Sequence, residues 1–230
     1  MFNNSVKNIY ESYFYPKDYG LISGLPSSAQ NALNYMLLNN INIPILTETT
    51  TLNSFYSVSF KKRVDYKLFN GHPLPEKIFT SKGDEITEPR VIYHNYDPYG
   101  NPTEVSKADG THIYYIYGYQ HSKPIAKIVN FTQADAENLQ AQIHAVVTAS
   151  DNDEDAASED ALRTALDNLR QALPDNTQVT TYTYDPLIGV TSITDPKGDT
   201  QYYIYDSFNR LKYIKDKDGH ILKEYEYHYR

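Results

Sequence analysis

One spacing rule runs through this chain and limits what it can fold into. Tyr184-Asp185 is followed nine residues after the Tyr by Ile193 and fourteen after it by Gly198, and Tyr205-Asp206 has Ile214 and Gly219 at the same offsets. Tyr96-Asp97, with Val105 and Gly110, obeys the same rule. Phe69-Asn70, with Ile78 and Gly83, is a degraded copy. Copies in register are an internal repeat, and a repeat of this length is one supersecondary unit that buries its apolar face only against its neighbours.

Each unit reads as two strands and two turns. After the Tyr-Asp pair, Asp97-Pro98-Tyr99-Gly100 is a turn: Asp bonds back to the backbone, Pro presets φ, and Gly supplies a left-handed residue. In Asp206-Ser207-Phe208-Asn209 the left-handed place falls to Asn209. Asp185-Pro186-Leu187-Ile188-Gly189 departs from this, because Ile188 is β-branched, and we expect a turn one residue longer with Gly189 at the bend. The second turn ends at Gly110, Gly198 or Gly219. Pro196 excludes a primed two-residue turn there, so a type I turn followed by a glycine bulge is expected. The result is an antiparallel meander of about 21 residues per strand pair. Residues 66–130 and 178–230 are expected to form one continuous twisted sheet with turns near Lys82, Asp109, Lys197 and Asp218.

Upstream, residues 1–65 read as a strand and helix region continuous with that sheet. Aromatics between residues 5 and 19 suggest a strand and a turn. Pro26-Ser27-Ser28 before Ala29, Leu33, Met36 and Leu37 suggests a short Ser-capped helix ended by Asn39-Asn40. Phe55 to Phe69 alternates as a long strand, with Lys61-Lys62-Arg63 on its wet side. Residues 131–177 interrupt the pattern. Thr132 caps a helix with Leu139, Ile143, Val146 and Val147 on one side, and Ser158 starts a second striped by Leu162, Leu166, Leu169 and Leu173. This reads as an inserted helical hairpin whose helices pack mainly on each other, joined by a solvated acidic connector, Asp151–Asp155. Its flanking strands, Pro124–Asn130 and Gln178–Tyr184, should lie side by side and antiparallel, and its deletion should leave the sheet folded.

The phrases Tyr205-Asp206-Ser207-Phe208-Asn209-Arg210-Leu211 and Asp216-Lys217-Asp218-Gly219 resemble the Rhs / YD-repeat family, in its Bacteroidetes-type form. The resemblance covers about residues 90–117 and 179–230 and, weakly, 66–89. It implies a mainly β fold, a YD-repeat meander or spiral sheet forming part of a hollow β-shell, with the helical insert and the short N-terminal helix as additions. It also implies a secreted or cell-surface bacterial protein whose shell encloses a cargo such as a C-terminal toxin. This chain stops directly after the last repeat strand, so the family's self-cleaving core and toxin are not expected in it. Asp185-Pro186 resembles that core's Asp-Pro signature but sits inside a repeat, and no catalytic role is carried over to it.

Chemistry is sparse. The net charge of −8 resides between Phe131 and Asp175, where ten Asp or Glu face two Arg. The remainder is balanced, so no basic face for nucleic acid is expected. There is no apolar run long enough for a membrane span and no visible signal peptide. Zero Cys excludes disulfides and thiolate metal sites. The seven His form no ligand spacing, and no phosphate loop or nucleophile elbow is present. Asp151, Asp153 and Asp155 alternate as Ca²⁺ ligands do, but lack the Gly and distal Glu of such a loop. Catalytic, cofactor and metal residues are therefore expected to be none. Asp97, Gly100, Gly110, Asp185, Gly198, Asp206, Asn209 and Gly219 are expected to serve as structural turn residues. The favoured function is a non-catalytic segment of a β-shell, partnered by the rest of a longer polypeptide or its cargo. The alternative is a cell-surface carbohydrate-binding module using Tyr-rich strand faces to stack on glycans.

Overall fold

The computed structural model describes residues 8–52, 56–83 and 88–228. The fold is mainly β, and the chain divides into two compact units, residues 1–111 and 112–230. Within each unit every strand pairs antiparallel with its chain neighbour, as expected of hairpins joined to hairpins.

The first unit holds β1 (Asn8–Phe14), β2 (Leu46–Leu52), β3 (Tyr56–Phe69), β4 (His72–Lys82), β5 (Glu88–Tyr96) and β6 (Pro102–Lys107). A helix, α1 (Ser27–Leu38), packs Leu33 and Met36 against Ile22, Ile45 and Tyr66. Its N-cap is Pro26, with no side-chain capping bond, so Ser27 is already helical. Proline fits there because its φ of −69° needs no adjustment and its missing N–H is not required in the first turn. Phe69 and His72 pair across Asn70-Gly71, both at positive φ, a two-residue turn that suits Asn-Gly. Lys61-Lys62-Arg63 does not share one wet side. Side chains alternate along a strand, and Arg63 turns inward to meet the buried Asp65 at 2.9 Å and stack 4.3 Å over Phe79. Burial raises the Asp65 carboxyl, and Arg63 opposes the rise. The turn expected near Lys82 leads into residues 84–87, which lie outside the described residues, as does Tyr229 of the expected final strand.

The second unit holds β7 (His112–Gly118), β8 (Lys123–Val129), β9 (Gln178–Asp185), β10 (Gly189–Thr194), β11 (Thr200–Tyr205), β12 (Leu211–Lys215) and β13 (Ile221–Glu224). Between β8 and β9 the chain forms α2 (Gln133–Asn138), α3 (Gln140–Asp151) and α4 (Ala156–Ala172). The strands flanking this excursion do pair antiparallel, with Ala126 opposite Thr181 and Val129 opposite Gln178.

The helices themselves depart from the expected hairpin. Thr132 caps the first in a reciprocal box with Asp135, but the helix breaks at Leu139 and restarts as α3. The second begins at Ala156 rather than Ser158: Asp155 is the cap, and Ser158 sits three residues in, closing the box. The two do pack on each other, as expected, but not on each other alone. Val146, Leu162, Leu166 and Leu169 join Tyr114, Ile116, Ile125, Ile128, Phe131 and Val179 in one core, so helices and strands bury a common apolar surface. Arg170 adds polar attachment, donating to the carbonyls of Val179 (3.1 Å), Asp195 (2.9 Å) and Thr194 (3.4 Å).

The acidic connector is part of this attachment. The β7–β8 turn places Tyr119, Gln120 and His121 consecutively at positive φ, a costly run for non-glycine residues. Ser150 Oγ accepts the Tyr119 N–H at 3.3 Å, and Asp151 accepts the Gln120 N–H at 2.6 Å. The buried Tyr119 hydroxyl donates to Asp153 at 2.6 Å and accepts the N–H of Tyr184 at 2.8 Å. Asp151 and Asp153 thus hold a strained turn, where a purely solvated connector was expected.

Candidate functional site

The repeat turns share one construction. In the first turn of a unit, Asp97 Oδ1 accepts the N–H groups of Tyr99 (2.9 Å) and Asn101 (2.8 Å), and Asp206 Oδ1 accepts those of Phe208 (2.8 Å) and Arg210 (3.0 Å). The second turn repeats it. Asp195 Oδ1 accepts from Lys197 and Asp199, and Asp216 Oδ1 from Asp218 and His220, all between 2.8 and 3.0 Å. The left-handed residue that closes each turn is Gly100, Asn209, Gly198 or Gly219, at φ +87°, +59°, +89° and +84°. Gly110 takes that place at +81°; there Lys107 stands at the first position and Asp109 instead accepts the Thr111 N–H. Asp195 and Asp216 were not singled out from the sequence, although each stands three residues before its glycine, as Asp97 does before Gly100.

Asp185 accepts the Leu187 N–H at 3.0 Å, yet its turn is not lengthened. Ile188 avoids positive φ, and Gly189 pairs directly with Asp185. The register shifts by one residue between Val190 and Ser192, and the same shift accompanies Tyr96 and Tyr205. All three copies therefore share one register: Tyr96 faces Pro102, Tyr184 faces Val190, and Tyr205 faces Leu211. Gly189 is required for a different reason: a Cβ there would lie 2.6 Å from the Tyr205 hydroxyl.

That hydroxyl shows what the repeated tyrosine does. Tyr96 donates to the Pro75 carbonyl (2.8 Å), Tyr184 to Pro124 (2.9 Å) and Tyr205 to Val190 (2.9 Å), each a backbone group on the preceding strand. Tyr227 does the same to Leu211 at 2.9 Å. In the second unit the pins interlock. Val190, the partner of Tyr184, receives Tyr205, and Leu211, the partner of Tyr205, receives Tyr227. Burial pushes the Tyr184 phenol up to about 12 and raises that of Tyr205, so both remain neutral donors. The 22-residue step from Tyr205 to Tyr227 was the available signal for the fourth pin. Replacing Tyr205 by Phe should cost about 1 kcal/mol, seen as a Tm fall of about 2–4 °C in a thermal melt. Tyr203→Phe serves as the comparison, and equal shifts for the two would count against the pin.

The turn tips differ by type. Tyr99, Leu187 and Phe208 in first turns are 70%, 94% and 77% exposed, whereas Lys197 and Asp218 occupy the same position in second turns. Arg210 lies between the rings of Phe208 (5.1 Å) and Tyr227 (4.6 Å) and grips Asp206 at 2.6 Å. The Arg210 bond holds the Asp206 carboxyl down to about 2.

Among the described residues of the second unit, Asp216, Asp218 and His220 bring three potential metal-ligand atoms together. Asp216 is already engaged, Oδ1 by two backbone N–H groups and Oδ2 by His220 Nδ1 at 3.1 Å, so the cluster closes a turn. Glu159 lies under the sheet and accepts from Thr183 (2.8 Å), Thr191 and Arg163 (2.7 Å), joining α4 to β9 and β10. The two threonine contacts tie the helix to the sheet, and the Arg163 contact lies within α4.

No family model matches the sequence, and no curated protein matches it. Solved structures of Tc toxins do. The chain is similar to the Photorhabdus luminescens Tc holotoxin pore at 13% identity and a TM-score of 0.39, over 85% of this chain and 10% of that one. It is similar to a TcdB2–TccC3 crystal structure at 13% identity and a TM-score of 0.40, over 86% and 10% of the two chains. A further TcdB2–TccC3–TEV structure matches at 11% and 0.40, over 95% and 11%. The chain thus spans about a tenth of the length of these structures.

Proposed function

We propose that this chain is a non-catalytic wall segment of an Rhs / YD-repeat β-shell, which encloses or scaffolds a cargo such as a toxin segment of a longer secreted or cell-surface polypeptide. The observation that carries the reading is the interlocking of the tyrosine pins with the shared register. Each hairpin presents to the next the same carbonyl at the same place, so units add without a new solution at each step. The sequence resemblance supplies the shell and cargo. The polar side chains described above are engaged in capping and pinning, which is what a wall requires and a catalytic centre does not. The hydroxyls of Tyr96, Tyr184, Tyr205 and Tyr227 donate to backbone carbonyls, which ties each ring to its neighbouring strand as a wall requires.

The test is to express the complete reading frame that carries these residues and subject it to limited proteolysis. A flanking segment should survive while the shell is intact and be digested once the sheet is unfolded by denaturant. A frame without further repeats or cargo, or a flanking segment cut as fast as a free peptide, would sink the reading.

A further inference from the structure

A groove of about 410 Å³ lies at the break between α2 and α3, where Leu139 ends one helix and starts the next above Tyr114 of β7. Its floor is apolar. Ala136 and the Tyr114 ring are buried, and Ile143 and Val147 are half-buried against the core that helices and strands share. Its rim is polar, made of Gln133, Glu137, Gln140 and His144. Two of the polar groups are held in place. The Tyr114 hydroxyl donates to Gln133 Oε1 at 3.3 Å, and His144 Nδ1 lies 3.4 Å from Thr148 Oγ1. Glu137 is exposed and makes no ion pair among the described residues.

The charge around the groove has one sign. Between Lys127 and Arg163 the chain carries eight Asp or Glu and no Lys or Arg. Lys127 pairs with Tyr115, so its side chain leaves the sheet on the face opposite Tyr114. Arg163 is engaged by Glu159 and Asp160, each at 2.7 Å. The groove thus holds no cation to receive an anion, and its rim carboxylate has none to neutralise it. An apolar floor under a few polar groups is the anatomy of a small-ligand site, and the volume falls in the range of such sites, about 300–1,000 Å³. The floor selects an apolar body by burial. Glu137 selects a positive head, by charge and by accepting its N–H groups.

We propose that this groove binds a small organic cation, an alkyl or aryl amine. The hydrocarbon part lies on Ile143 and Val147, and the ammonium group meets the Glu137 carboxylate. The proposal does not depend on the shell reading: its residues belong to the helical insert and β7, and none takes part in the repeat turns or the tyrosine pins.

The test uses the intact chain with isotope-labelled isoleucine and valine methyl groups, followed by nuclear magnetic resonance. Three probes share one body: phenylbutylamine, phenylbutanol and phenylbutyrate. The amine should shift the Ile143 and Val147 methyl signals saturably, with a Kd on the order of 1 mM, as a ligand this small allows. The alcohol should bind more weakly, and the butyrate about tenfold more weakly in low salt. Glu137→Gln alters an exposed residue and should melt as the parent does, while bringing the amine to within about twofold of the alcohol. The proposal is overturned if the amine leaves both methyl signals unmoved at about ten times that Kd. Equal affinities for the amine and the butyrate, or a Glu137→Gln variant that keeps the full preference for the amine, overturn it as well.

Discussion

Replacing residues 131–177 by a two-residue Asn-Gly turn should abolish the cooperative folding of the second unit. The graft is geometrically easy, because Val129 and Gln178 already face each other across β8 and β9. What fails is the core. The deletion strips the partners Phe131, Ala136, Val146, Leu162, Leu166 and Leu169 from Tyr114, Ile116, Ile125, Ile128 and Val179. At about 1.5–3 kcal/mol for each large side chain returned to water, the loss is about 10 kcal/mol, comparable with the whole stability of a typical domain. The left-handed run at Tyr119–His121 also loses Ser150, Asp151 and Asp153, and Arg170 no longer holds the edges of β9 and β10. The expected observation is loss of the sigmoidal melt for this unit and binding of a hydrophobic dye. A variant that keeps a cooperative melt within a few degrees of the parent would show the helices to be an appendage.

That outcome is the reverse of what the sequence alone suggests, and the reason is physical. The stripe of Leu162, Leu166 and Leu169 tells which side of α4 is buried but not what covers it. A second helix and a sheet face satisfy the stripe equally well. The strand face that pairs with it, Tyr114, Ile116, Ile128 and Val179, lies in segments also rich in tyrosine, where both faces look half-apolar. The turns were more legible because their constraints are local. Pro196 and the glycine two residues later admit one turn type whatever surrounds them. The bulge after Tyr184 was not legible: an extra residue in a turn and one in a strand leave the same count between Tyr and Gly. The positive φ at Tyr119, Gln120 and His121 has no local signal, since clamps from α3 and the connector impose it. Tyrosine was recognised as the mark of the repeat, but the destination of its hydroxyl depends on pairing between strands.

The single substitution with the largest expected effect is Phe131→Ala. Phe131 is fully buried where the chain leaves β8 for α2, after Asn130 at φ +60° and before the Thr132 cap. Its ring meets Tyr114 edge-on, with centroids 5.5 Å apart and planes at 71°. It therefore joins sheet and helices at one point, and the neighbours it touches are fixed by strand pairing on one side and by a capped helix on the other. Neither side can move in to fill the space, so the cavity cost adds to the lost transfer energy, about 3–5 kcal/mol for such a truncation. At about 2–4 °C per kcal/mol, the melting temperature should fall by about 10 °C. Phe131→Leu, which retains most of the volume, should lose less than half as much. The measurement is a pair of thermal melts followed by far-ultraviolet circular dichroism. A fall of less than about 2 °C for the Ala variant would mean that the junction between β8 and α2 is not where this unit is held together.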